Sequence, residues 1–258
     1  MAMARSNNSK PLMAARSVIF RCGIDRIEEL IIEDMAFMAG LRIRTVEMEG
    51  ADGRLVRDGA RGIASISSRV TNEGQKRFIM AHEFGHYEMH KGTRIFSCHK
   101  SNFGDWSGKN VLETEANRFA AALLMPDELF RNEAKKYNCS TETIRQLAQT
   151  FRVSISSASI RYAKLDMAPC SVVYSEHGTV KWSFSSDSAK YKAIRNGTAV
   201  HSDSGAAECF EGVHTLNAEE TPCSAWYLDS HLKKGDSCFE QCIPMPKYSG
   251  VLSLIWTE

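Results

Sequence analysis

An α+β architecture is predicted by three features of this 258-residue sequence. Apolar residues recur at helical spacing through much of the first 165 positions, and a glycine-punctuated run rich in β-branched residues interrupts them between Leu41 and Ser68. Short strand-like runs separated by Gly, Ser and Asp fill the remainder.

The first helix is expected over Ile24 to Ala39, where Ile24, Ile27, Leu30, Ile31, Met35 and Met38 alternate with charged positions and Gly40 supplies a stop. Leu41 to Ser68 reads as a small β-meander whose last strand is Gly62 to Ser67. That strand is also a candidate sheet edge on which an extended peptide adds as a further strand, although a core strand would look the same. Helix resumes near Glu73, and Gln75 to His90 carries Phe78, Ile79, Phe84 and Met89 among its charges. Thr93 to Lys109 is too long for a simple connector and is a candidate lid or substrate-binding loop.

The next helix, Val111 to Met125, is almost wholly apolar from Phe119 onward, which suits a central buried helix, and Pro126 ends it. Ser140 to Lys164 reads as two short helices around Phe151 to Ser154, a helix-turn-helix-like pair with Ser154 capping the second helix. After Pro169 the strand-like runs are Val172 to Tyr174, Val180 to Phe184, Ala225 to Leu228 and Val251 to Trp256. Four regions follow: an N-terminal extension (1–23), a mainly helical domain with a small sheet (24–135), the helix-turn-helix-like segment (136–167) and a smaller β-rich C-terminal domain (168–258).

Composition narrows the function. With 43% hydrophobic and 24% charged residues the chain reads as globular, and a net charge of +1 offers no bulk attraction to nucleic acid, membrane or acidic partners. No run approaches the roughly 20 apolar residues of a membrane span, and Met1 to Pro11 lacks the apolar core of a secretory signal. The expected compartment is therefore the cytoplasm, where eight irregularly spaced cysteines stay reduced.

His82-Glu83-Phe84-Gly85-His86 is an HExxH pattern on a predicted helix. Histidines at i and i+4 share one helix face, so both imidazoles reach one tetrahedral cation. Glu83, one position on, tilts toward the cation's open side, where its carboxylate takes a proton from water and delivers it to the leaving amine. A catalytic zinc needs a third protein ligand, and Glu113 in the first turn of the following helix is the best supply. Asn117, one turn further on the same face, is suited to hydrogen-bond a ligating histidine. Glu115 competes, but it points about 200° around the helix from Glu113 and is followed at i+4 by Phe119, the mark of a packing face. His90 and His99 compete as well, His90 rising about 6 Å beyond His86. Two imidazoles and a carboxylate accept Zn2+ and also Mn2+.

The string Phe78-Ile-Met-Ala-His82-Glu-Phe-Gly-His86, followed by Glu113-Thr-Glu-Ala-Asn117-Arg-Phe-Ala-Ala-Ala-Leu-Leu-Met-Pro126, resembles the ImmA/IrrE family of bacterial and phage metallopeptidases. The resemblance is clearest from about residue 24 to 165. It implies a gluzincin-like peptidase fold for the helical domain, with His82, His86 and Glu113 on zinc and Glu83 as base. It also implies a substrate: family members cut Xre-type helix-turn-helix repressors at a specific bond and so derepress stress-response or mobile-element genes. Some members carry a C-terminal GAF-like sensor, of which residues 168–258 would be a reduced version.

Two alternatives stand beside this reading: a non-catalytic metal-containing regulator that binds DNA or protein, and a toxin-antitoxin component with broader peptidase action. Cys209, Cys223, Cys238 and Cys242 are weighed as a second zinc site, but without a paired CxxC they read better as buried free thiols. Arg152, Arg161 and Lys164 are the residues of the helix pair suited to touching phosphates, yet the balanced charge favours a packing role for that pair over DNA contact. Tyr87, Arg161 and Tyr162 are candidate donors to a developing oxyanion.

Overall fold

The computed structural model describes residues 2–98, 110–194, 196–213 and 217–257, with side chains from Lys10 onward. Its polar opening segment is a helix, α1 (Ala2–Arg21). Pro11, Ala15 and Val18 recur at helical spacing and are buried, giving α1 a narrow inward stripe. The single helix expected over Ile24–Ala39 is broken into a 3-10 turn at Ile27–Glu29 and a short α2 (Ile32–Met38). Glu29 caps the start of the turn, its carboxylate accepting from the backbone N–H groups of Asp25 (3.1 Å) and Arg26 (3.2 Å) while pairing with the Arg26 guanidinium at 2.6 Å. Leu30 then leaves helical geometry at ψ 62°.

Four strands follow: β1 (Leu41–Val46), β2 (Gly53–Asp58), β3 (Arg61–Ser67) and β4 (Ile95–Cys98). They pair in the order β1-β3-β2-β4, which corrects the expected meander. β3 lies inside the sheet, parallel to β1 from Leu41↔Gly62 to Val46↔Ser67 and antiparallel to β2. Both of its backbone edges are used, so Gly62 to Ser67 offers no free edge for an incoming strand. The edges are β1 and β4.

Helix α3 (Glu73–Met89) starts where Asn72 Oδ1 accepts from the Gln75 N–H at 2.9 Å. Helix α4 (Val111–Leu124) starts the same way, Asn110 Oδ1 accepting from the Glu113 N–H at 3.4 Å. The two helices pack against one another, and α1 packs on α4. Gly85 permits the close approach, since a Cβ there would stand 2.9 Å from Phe119 Cδ1. Phe84 and Phe119, both fully buried, meet edge to face with ring centroids 5.7 Å apart.

Three helices follow, α5 (Asp127–Ala134), α6 (Thr141–Phe151) and α7 (Ile155–Lys164). The last two form the expected helix pair, with Arg152 at φ 52° in the turn between them. Contacts divide the chain into two compact units, Met1–Phe130 with Gln149–Ser154, and Arg131–Ala148 with Ile155–Glu258.

The second unit contains an antiparallel sheet in the order β6-β5-β9-β8-β7, built from β5 (Cys170–Glu176), β6 (Thr179–Ser185), β7 (Glu219–Pro222), β8 (Ser237–Met245) and β9 (Gly250–Trp256). A short α8 (Gly205–Phe210) packs on β8 and β9 over a core that includes Val173, Val180, Trp226 and Ile255. Ala225 to Leu228, expected as a strand, instead leaves a 3-10 turn whose Cys223 carbonyl accepts from the N–H groups of both Trp226 and Tyr227. The chain is thus α+β with a β-rich C-terminal part. Among the described residues, no helix is long and apolar enough to cross a membrane.

Candidate metal centre

Because α3 turns once in 3.6 residues, His82 and His86 emerge on the same face, and their Nε2 atoms lie 3.0 Å apart. Glu113, in the first turn of α4, reaches both, with Oε2 3.2 Å from His82 Nε2 and Oε1 3.4 Å from His86 Nε2. His82, Glu83 and His86 are fully buried and Glu113 nearly so.

The surrounding hydrogen bonds determine where the imidazole protons sit. Asn117 Oδ1 lies 2.8 Å from His82 Nδ1; a carbonyl oxygen only accepts, so Nδ1 carries a hydrogen and Nε2 is the nitrogen turned to Glu113. On the other side Glu115 Oε2 lies 3.0 Å from His90 Nε2 and 2.9 Å from Lys10 Nζ. A carboxylate also only accepts, so His90 Nε2 carries the hydrogen. Burial pulls the His90 ring below its usual range, which keeps it neutral near pH 7 with an accepting Nδ1. His86 Nδ1, 2.9 Å away, therefore donates, and its Nε2 also turns inward. The two Nε2 atoms, 3.0 Å apart and both facing the Glu113 carboxylate, present the two imidazoles and one carboxylate that a zinc-type cation takes as ligands.

Glu83 supports the same conclusion. Among the described residues no well-aligned hydrogen bond reaches either of its carboxylate oxygens, whose polar neighbour is the Cys98 thiol, or Glu113 Oε2, which faces His82 Nε2 at 3.2 Å. Burial pushes the Glu83 carboxyl up to about 8, with the Glu113 charge adding to the effect and the Cys98 thiol opposing it. Gly53 on β2 makes room for Glu83, because a Cβ at that position would overlap Oε1.

The structure brings His82, Glu83, His86 and Glu113 together and turns Glu115 and His90 to a neighbouring role. His99 and residues 99–109 of the expected lid lie outside the described residues. Tyr87 is committed elsewhere, its phenol hydrogen-bonding to the carbonyls of Ala60 (2.7 Å) and Ala39 (3.0 Å). Arg161 and Tyr162 are buried in the second unit. Of the basic residues considered for phosphate contact, Arg161 is therefore covered and Lys164 Nζ sits 4.6 Å over the Phe184 ring, in keeping with a packing role. All eight cysteines are free. Among the described residues, Cys209, Cys223, Cys238 and Cys242 form no metal-ligand group.

Two residues escaped the sequence reading. Phe96 on β4 stacks on His86 with ring centroids 4.0 Å apart. Cys98, two residues on, joins His82, His86 and Glu113 in a cluster whose donor atoms all lie within 4.8 Å of one another. The alternating exposure of Ile95 to Cys98 is the local signal, but only the β2–β4 pairing brings that face to the histidines.

Residues 38–162, which contain every member of this cluster, match the family described as the IrrE N-terminal-like domain. That region belongs to the ImmA/IrrE family. Within it, the chain is 31% identical over 188 residues to the radiation response metalloprotease IrrE of Deinococcus deserti, covering 62% of this chain and 65% of that relative. It is 27% identical over 140 residues to the radiation response metalloprotease IrrE of Deinococcus radiodurans, covering 54% of this chain and 41% of the relative. The matched stretch thus spans less than two thirds of either ImmA/IrrE relative. A solved Mycobacterium tuberculosis transcriptional regulator superposes with a TM-score of 0.62 at 14% identity, over 98% of this chain and 78% of that one, and so shares the fold.

Proposed function

We propose that this chain is a metal-dependent site-specific endopeptidase that cleaves a helix-turn-helix repressor of the Xre type and thereby releases stress-response or mobile-element genes. The observation that carries the reading is the convergence of the Nε2 atoms of His82 and His86 on Glu113, beside the fully buried Glu83. The likeness to the two Deinococcus radiation response metalloproteases supports it.

In this reading His82, His86 and Glu113 hold the cation, zinc in the first instance and manganese as the other ion such donors accept. When bound, the cation supplies Lewis-acid polarisation of the scissile carbonyl and makes water more acidic. Glu83 receives the proton of the attacking water on a carboxylate oxygen and hands it to the leaving amine nitrogen. Asn117 and His90 hold the two imidazoles in the required tautomer. Gly53 leaves the Glu83 carboxylate its space.

The test is incubation of the zinc- or manganese-loaded chain with an Xre-type repressor encoded beside it. One discrete cut is expected, and Glu83→Ala should abolish it while metal remains bound. A cut that survives Glu83→Ala refutes the mechanism, and degradation of unrelated unfolded proteins refutes the proposed specificity.

A further inference from the structure

We propose that Cys98 is a fourth ligand of the metal, a thiolate latch that closes the centre at rest. The inference depends on His82, His86 and Glu113 being the metal site. It adds that the resting site has no corner open to substrate.

The placement comes from β4. Its alternation exposes Ile95 and Ser97 and buries Phe96 and Cys98, and antiparallel pairing sets Phe96 opposite Leu55 and Cys98 opposite Gly53. Since i and i+2 share a strand face, the Phe96 ring lying on His86 brings Cys98 to the metal cluster as well. Cys98 Sγ lies 4.0 Å from Glu113 Oε1, and one donor atom from each of His82, His86, Cys98 and Glu113 falls within 4.8 Å of the others. Tetrahedral zinc, with bonds of about 2.0–2.3 Å, needs donor separations of about 3.3–3.8 Å, so a slight spreading of the two imidazole nitrogens and a small inward shift of the sulfur complete the set.

A buried cysteine commonly serves as a small apolar residue. Cys98 does not have that environment, since its neighbours include the carboxylate of Glu113 and the imidazoles of His82 and His86. The adjacent Glu83, fully buried with no well-aligned hydrogen bond on either oxygen, independently marks this cluster as built around a ligand.

Four protein ligands on zinc are the signature of a closed site, three that of a catalytic one. Cys98 switches the centre between the two. As the metal binds, the thiol gives its proton to solvent and the sulfur lone pair forms the metal–sulfur bond. Opening reverses this: the bond breaks, the thiolate takes up a proton, and a water or substrate carbonyl oxygen takes the vacated corner.

The test uses the full chain loaded with cobalt(II), with Cys98→Ala and Cys98→Ser beside it. The wild type should show a near-ultraviolet thiolate-to-cobalt charge-transfer band that both variants lose, and zinc affinity should fall by about tenfold or more with the lost thiolate. Acetohydroxamate, a small metal-binding probe, should perturb the visible bands of the variants at a concentration about tenfold lower than in the wild type, reflecting the corner the thiolate no longer fills. Cobalt ligand-field bands without the charge-transfer band would overturn the role of Cys98 and leave the three-ligand centre standing. A band that persists in Cys98→Ala, or equal acetohydroxamate sensitivity in all three proteins, would overturn it too. Failure of the wild type and both variants alike to take up cobalt or zinc would refute the metal centre itself.

Discussion

His86 Nδ1 and His90 Nδ1 lie 2.9 Å apart, His86 in the last turn of α3 and His90 at its C-cap. Two like nitrogens at that distance share one hydrogen, and the Glu115 carboxylate on the far side of His90 decides which ring supplies it. His90→Leu should therefore weaken zinc binding by about 10–100-fold, the usual effect of removing a residue that supports a ligand. Glu115→Gln, which still offers an accepting oxygen, should weaken it less. Chelator competition measures both, and nitrogen-15 spectra of the zinc-loaded chain should find His90 with its proton on Nε2 and His86 with its proton on Nδ1. The opposite tautomers would break the chain of inference from Glu115 to the metal.

Exchanging the carboxyl of Glu83 for an amide of the same shape separates binding from chemistry. Glu83→Gln should keep zinc at wild-type stoichiometry and lose cleavage by about 100-fold or more, the scale of a missing general base. Metal analysis beside a cleavage time course gives both numbers, and loss of zinc together with activity would make Glu83 a ligand instead.

Gly53→Ala tests the space kept for that carboxylate. The added methyl meets Glu83 Oε1 and, at 2.9 Å, Ile79 Cγ2, so about 1–3 kcal/mol of stability should be lost. Cleavage should fall more than zinc affinity, because Glu83 moves while the three metal ligands stay in place. Denaturant titration and chelator competition read the two effects, and a neutral substitution would show that Glu83 has another place to go.

Removing the metal should destabilise the chain. Zinc bound only by the folded form adds about 4 kcal/mol at a free concentration a thousand times its Kd. Treatment with a chelator should lower the melting temperature of the wild type, and returned zinc should restore it. Glu113→Ala should show a clearly smaller zinc-dependent rise than the wild type, since Glu115, held by Lys10 and His90, has no freedom to replace it. A rise as large as in the wild type would remove Glu113 from the ligand set.

Much of the centre is legible along the chain because helical geometry is local. His82 and His86 share a face through spacing alone, and the polar Asn117 four residues after Glu113 distinguishes that face of α4 from the Glu115 face. Strand order is not local. The residues of Gly62 to Ser67 suit an edge or an interior strand equally, and only pairing with both β1 and β2 shows which they occupy. Helix α1 escaped notice because its inward stripe is only Pro11, Ala15 and Val18, too sparse to stand out in a polar segment. The division of Ile24 to Ala39 was hidden for another reason: a helical apolar period ran through Leu30, where the backbone leaves helical geometry between the 3-10 turn and α2.

The sequence by itself determined the α+β class, the two helices that carry the histidine pair and its carboxylate, and the residues facing each other across them, because those depend on contacts within a few turns of one chain segment. Tertiary structure alone decided that β4 closes the sheet beside α3, that Phe96 and Cys98 reach the histidines, and that Lys10 anchors Glu115 from 105 residues away. Those relations depend on which distant segments bury their apolar faces together, and no local period records that choice.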